Sequence, residues 1–168
     1  ALPERLEAHE PPEARGLARD EVRMLVASRA GLAHVQARDL PAHLRPGDVL
    51  VVNTSATLPA ALPAVGADGT ALALHLSTPD GPGRWVVELR RGGERFGGGR
   101  AGETLTLPGG ATATLLAPYL AGARLWLARL DTAGVPLLDY LARHGAPIRY
   151  DYVERAWPLA DYQTVFAL

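Results

Sequence analysis

A chain of 168 residues, 48% hydrophobic and 21% charged, has the length and balance of one compact domain or two small ones and is neither disordered nor fibrous in composition. Its 17 basic residues are all arginine and face 18 acidic ones, which excludes a uniformly basic nucleic-acid binder but leaves room for a local basic patch. With neither lysine nor cysteine, Schiff-base chemistry, a P-loop lysine, thiol nucleophiles, disulfides and thiolate metal sites have no residues to carry them.

In chain order, Pro3 to His9 reads as a short helical piece, followed by a linker at Pro11 and Pro12. RMLVAS (Arg23 to Ser28) and LAHVQA (Leu32 to Ala37) read as a hairpin turning near Gly31. Asp39 is placed to cap one helical turn, and the Pro-Gly pair of RPGD, Arg45 to Asp48, predicts a turn. VLVVN, Val49 to Asn53, is an unbroken apolar run between turn signals and predicts a buried central strand.

From about Pro63 the texture changes. ALALHL, RWVVELR, ETLTL, ATATLL and RLWLARL are short alternating segments separated by Gly, Pro and Asp, at the spacing of a small all-β sandwich or barrel. The period then lengthens: Val135, Leu137, Leu138 and Leu141 mark one amphipathic helix within Thr132 to His144, stopped by Gly145. The expected fold class is an α/β (α+β) domain with an inserted small antiparallel β-barrel. Residues 1–62 and 131–168 form the discontinuous first domain and residues 63–130 the barrel.

No segment approaches the roughly 20 apolar residues that span a bilayer, and the charged start ALPERLEAHEPPEAR lacks the core of a secretion signal. The expectation is a cytoplasmic protein with no membrane partner. Because the chain begins at Ala1 and stops at VFAL, a trimmed or partial chain is also expected.

The five His are scattered with no ligand spacing, so no metal site is expected. RRGGERFGGGR, Arg90 to Arg100, opens no helix and so lacks the usual phosphate cradle. It does concentrate Arg90, Arg91, Arg95 and Arg100 around Phe96. That is either a phosphate-contacting strip or a hairpin tip kept soluble by arginine. Asn53, Thr54 and Ser55 leave the end of the apolar run, where α/β folds place ligand contacts. The tail PIRYDYVERAWPLADYQTVFA mixes Tyr and Trp with Arg, Asp and Gln, which suits packing and base binding alike.

Three of these strings, in this order, resemble one family. RDLPAHLRPGDVLVVNTSATLPAAL is similar to the R-D-L-P…L-R-P-G-D-L-L-V-x-N-D-T-x-x-x-P-A-R-L stretch of S-adenosylmethionine:tRNA ribosyltransferase-isomerases. RWVVELRRGGERFGGGRAGETLTL is similar to that family's W-x-x-L-x-x-P-G-K/R-x-x-x-x-G segment, and ADYQTVFA to its Y-Q-T-V-Y/F-A motif. The resemblance implies an α/β domain with an inserted barrel. It also implies transfer and isomerisation of the ribosyl moiety of S-adenosylmethionine onto 7-aminomethyl-7-deazaguanine in tRNA, giving epoxyqueuosine with release of adenine and methionine.

S-adenosylmethionine is then a co-substrate, with no permanently bound cofactor, and tRNA is the partner. Asn53, Thr54, Ser55, Tyr162, Gln163 and Thr164 are the expected substrate-binding residues, and Arg90, Arg91, Arg95 and Arg100 the expected tRNA-binding ones. The general base is not assigned, with Asp20, Asp151 and Asp161 as candidates. The family's N-D-T stands here as Asn53-Thr54-Ser55, the Arg of its P-A-R-L as Ala61, and its P-L-P-P-Y-I as PIRYDYV. Its P-R-D-x-S-R is only loosely echoed by ARGLARDEVR, and its P-T-A-G-L-H-F-T-like segment does not occur within the chain. These departures keep two alternatives open: a non-catalytic RNA- or nucleoside-binding relative, and a paralogue with another substrate.

Overall fold

The computed structural model describes residues 3, 6–120, 124–149, 153 and 155–167. They fall into two compact units, residues 1–57 with 152–168, and residues 58–151.

In the first unit, β1 (Arg23–Ser28) and β2 (Gly31–Gln36) form the expected hairpin, in register from Arg23↔Gln36 to Ser28↔Gly31. Short 3-10 turns surround it at Pro12–Arg15, Arg19–Glu21 and Ala37–His43. Asp39 caps the last of these from inside its first turn, its carboxylate accepting the Gln36 N–H at 2.9 Å. Glu21 links two of the turns, accepting from the Ala18 N–H at 2.8 Å and from Arg38 at 2.9 Å. Both contacts hold its carboxyl below the usual carboxylate range, the backbone donor contributing most. A single helical turn, α1 (Leu159–Tyr162), follows Pro158. The helical piece expected at Pro3 to His9 falls partly outside the described residues, as do Tyr150, Asp151 and Tyr152.

The run Val49 to Asn53 is not a buried strand. It pairs with nothing among the described residues, and Val49, Leu50, Val51 and Val52 are 85%, 51%, 88% and 37% exposed. An apolar run has the composition of a central strand, but a strand exists only where a neighbour supplies ladder hydrogen bonds, and a central one needs them on both edges.

The second unit is a closed barrel. Its strands are β3 (Ala61–Val65), β4 (Ala71–Pro79), β5 (Arg84–Arg91), β6 (Glu94–Arg95), β7 (Thr104–Thr106), β8 (Thr112–Pro118) and β9 (Leu125–Asp131). The sheet runs β4-β3-β7-β8-β9-β5 and closes by pairing β4 with β5, all antiparallel, while the two-residue β6 adds to the end of β5. Closure removes the sheet edges that would otherwise template aggregation.

Period-two alternation fills the interior. Leu72, Leu74 and Leu76 of β4, Val87 and Leu89 of β5, and Trp126, Ala128 and Leu130 of β9 are buried. The Gly-rich run has a packing reason as well. A Cβ on Gly99 would lie 2.9–3.2 Å from side-chain atoms of Leu115, Leu89 and Trp126, so glycine lets the backbone pass this close without displacing the core side chains.

The amphipathic helix α2 (Leu137–His144) packs on the barrel, with Tyr140 and Leu141 inside the same core. The Tyr140 hydroxyl donates to the Pro108 carbonyl at 2.8 Å. The units therefore divide after Thr57 and Asp151, whereas the sequence placed the divisions after Leu62 and Leu130. Two contacts account for the difference: β3 joins the barrel, and α2 buries its apolar stripe there.

Candidate functional site

The loop after the apolar run and the Y-Q-T tail meet within the first unit. The Gln163 side chain straddles the Thr57 backbone, its Oε1 accepting the Thr57 N–H at 2.7 Å and its Nε2 donating to the Thr57 carbonyl at 2.9 Å. The Thr57 hydroxyl lies 3.4 Å from the Tyr162 carbonyl, and the Thr164 hydroxyl donates to the Asn53 carbonyl at 3.2 Å. Within the loop, Asn53 Oδ1 accepts the Ser55 N–H at 2.9 Å, an Asx turn that sets the path of the chain.

The structure thus brings together Asn53, Ser55, Tyr162, Gln163 and Thr164, with Thr54 between the first two. Their duties divide. Gln163 spends both ends of its amide on backbone, so it holds the loop. The Asn53 amide nitrogen, the Thr54 and Ser55 hydroxyls and the Tyr162 hydroxyl make no hydrogen bond among the described residues. Those are the polar atoms a ligand can engage.

One residue escaped the sequence reading. Arg19 donates through Nη1 to the Gln163 carbonyl and through Nη2 to the Ala160 carbonyl at 3.1 Å, while its Nε meets Glu13 at 2.5 Å. The hydrogen bond to Arg19 is the largest influence holding the Glu13 carboxyl below its usual range. The signal was present in ARGLARDEVR, but a side chain that serves backbone carbonyls far along the chain leaves no local spacing to detect. Among the acid candidates, Asp20 lies in an exposed 3-10 turn, Asp161 on α1, and Asp151 outside the described residues.

The four arginines of the expected tRNA strip do not form one group: Arg90 and Arg95 are neighbours in register, while Arg91 and Arg100 lie elsewhere. Arg90 bonds the Gly93 carbonyl through Nε at 2.8 Å and Glu88 through Nη1 at 3.4 Å, and Arg95 lies 3.9 Å from Glu88. Arg100 lines a different cavity of about 490 Å³ with Asp68, Phe96 and Glu103, and Arg91 acts on Asp68. Alternation sends neighbours on β5 to opposite faces, which separates Arg90 from Arg91. Among the described residues, no group of three or more His, Asp or Glu is arranged to hold a metal ion. No helix among them is long and apolar enough to cross a membrane.

The barrel is inserted in sequence between the two segments of the first unit, and the assignment to a family comes from a match over the chain. The queuosine biosynthesis protein family matches residues 1–168, and the chain belongs to that family. It is 39% identical over 183 residues to the S-adenosylmethionine:tRNA ribosyltransferase-isomerase of Methylobacterium sp. (strain 4-46), covering 99% of this chain and 49% of that protein. An enzyme of the same name from Thermus thermophilus is 32% identical over 163 residues, covering 89% and 44%. A crystal structure of S-adenosylmethionine tRNA ribosyltransferase from Thermotoga maritima shows 26% identity and a TM-score of 0.37, covering 77% of this chain and 42% of that one. The chain spans about half the length of the curated relatives it matches.

Proposed function

We propose that the protein transfers and isomerises the ribosyl moiety of S-adenosylmethionine onto 7-aminomethyl-7-deazaguanine in tRNA, giving epoxyqueuosine. The observation that carries this reading is the hydrogen-bonded meeting of Asn53–Thr57 with Tyr162–Thr164, the two strings most specific to the family. S-adenosylmethionine is the co-substrate, tRNA the partner and the cytoplasm the compartment.

In this reading the loop and tail bind the nucleoside or the methionine part. The Asn53 amide suits the edge of adenine, the Tyr162 ring offers a stacking face, and the Thr54 and Ser55 hydroxyls supply donors. Gln163 and Arg19 act behind them, fixing the loop so that the site is preorganised before substrate arrives. Barrel arginines contact tRNA phosphates. The reaction itself needs a base to remove a proton beside the sulfonium and an amine nucleophile, which the modified tRNA base supplies.

A second reading rests on two departures from the family motif. Thr54 stands where the family motif has an acid, and Ala61 where it has Arg. A relative that binds S-adenosylmethionine or RNA without this transfer would tolerate both changes. Incubating the whole protein with S-adenosylmethionine and a tRNA carrying 7-aminomethyl-7-deazaguanine separates the two. Release of adenine together with an epoxyqueuosine nucleoside in the digest is the result expected for the enzyme. Binding of both substrates without adenine release assigns the chain to the second reading.

A further inference from the structure

The outer wall of the barrel carries a groove of about 840 Å³ in which, among the described residues, Arg90, Arg95, Arg124 and Arg149 outnumber the acids Glu88 and Glu94. Its organisation starts from register. Glu88 of β5 sits opposite His75 of β4 and Leu125 of β9, on the face away from the leucine core. Its side chain is 13% exposed and is shared among three guanidinium groups, with Arg90 at 3.4 Å, Arg124 at 3.4 Å and Arg95 at 3.9 Å.

One carboxylate neutralises one charge and has two oxygens, whereas each guanidinium carries five N–H donors in a rigid fork. Glu88 therefore aims the arginines more than it silences them. Arg95 and Arg124 remain 65% and 55% exposed, with donors turned to solvent. Leu125 and Ile148 line the same groove and offer apolar surface beside the charges. Positive forks next to an apolar strip match a sugar–phosphate backbone, whose phosphates take bidentate contacts and whose sugars and bases take apolar ones.

We propose that this groove, organised by Glu88, is where the barrel grips the RNA backbone. Arg124 and Arg149 belong to the contact surface, and Arg91 and Arg100 do not. The proposal rests on the reading of tRNA as partner and identifies the surface that engages it.

The test measures binding of an unmodified tRNA transcript to the whole protein across a range of salt concentrations. Arg95→Ala with Arg124→Ala should weaken binding about tenfold. The double variant should also lower the log–log salt slope by roughly 0.7 to 0.9 per lost contact. Arg124→Glu should weaken it further, and Arg129→Ala, on an exposed position of β9 outside the groove, should change neither quantity. Every substituted position is exposed, so thermal melts should match the parent protein. A parent protein that binds the transcript while the Arg95/Arg124 variant keeps its affinity and slope overturns the groove and leaves tRNA as partner. An equal loss from Arg91→Ala with Arg100→Ala also overturns it. A parent protein that binds no transcript at low salt removes the tRNA reading itself.

Discussion

Gly145 ends α2 with an ordinary φ of −88°, so its constraint is one of space. A Cβ there would lie 2.0 Å from the Pro59 carbonyl oxygen and 2.7 Å from that of Leu141. Both are backbone atoms held by the neighbouring Ala61↔Ala146 bridge and the Gly145 N–H bond to Leu141, so neither can swing aside. Gly145→Ala should therefore destabilise the barrel by about 3 kcal/mol, read as a lower urea midpoint at unchanged slope. His75 is the other informative residue. Burial, reinforced by Arg90 and opposed by Glu88, holds its imidazole below the ordinary histidine value. In the pH range between that lowered value and the ordinary one, the unfolded chain takes up the proton more readily, so stability falls as pH drops through it. Replacing His75 by Asn should flatten the decline seen in chemical denaturation between about pH 7 and pH 5. An unchanged pH slope would show that other groups set it.

At the scale of elements, the loop and tail behave as one braced pair. Gln163→Leu removes both bonds to Thr57, and Gln163→Glu keeps the acceptor while losing the donor. Hydrogen exchange at the Thr57 amide should accelerate about tenfold in the first variant, corresponding to roughly 1–1.5 kcal/mol, and less in the second. An unchanged rate would mean that the brace does not order the loop. How much of this could be read beforehand differs by element. β4, β5, β8 and β9 follow from alternation, because each buries one face, whereas the β1–β2 hairpin, which has no buried residue, follows from two strand-like runs about Gly31. β3 escaped because Pro63 stands inside it, and a proline argues against a strand interior. Pro63 is tolerated since β3 meets β7 only at Val65↔Thr106, leaving no β7 bond for its missing N–H. Val49 to Asn53 failed in the other direction, for apolar content cannot say whether strand neighbours are present.

At the scale of the molecule, the family strings marked Asn53–Ser55 and Tyr162–Thr164 as parts of a site, while their division of labour needed coordinates. Sequence presents Gln163 as a ligand contact and is silent on Arg19, because bonds from a side chain to distant backbone have no spacing. The same holds for the arginines: proximity in sequence grouped Arg90 with Arg91 and Arg100, and the barrel regroups Arg90 and Arg95 with Arg124 and Arg149. The central claim is that loop and tail together form the S-adenosylmethionine site. Calorimetric titration of S-adenosylmethionine into the whole protein tests it most directly. The account predicts binding by the parent protein, and a loss of about tenfold or more in each of Asn53→Ala and Tyr162→Ala, as for removal of an edge contact or a stacking ring. Undiminished affinity in both variants would contradict it.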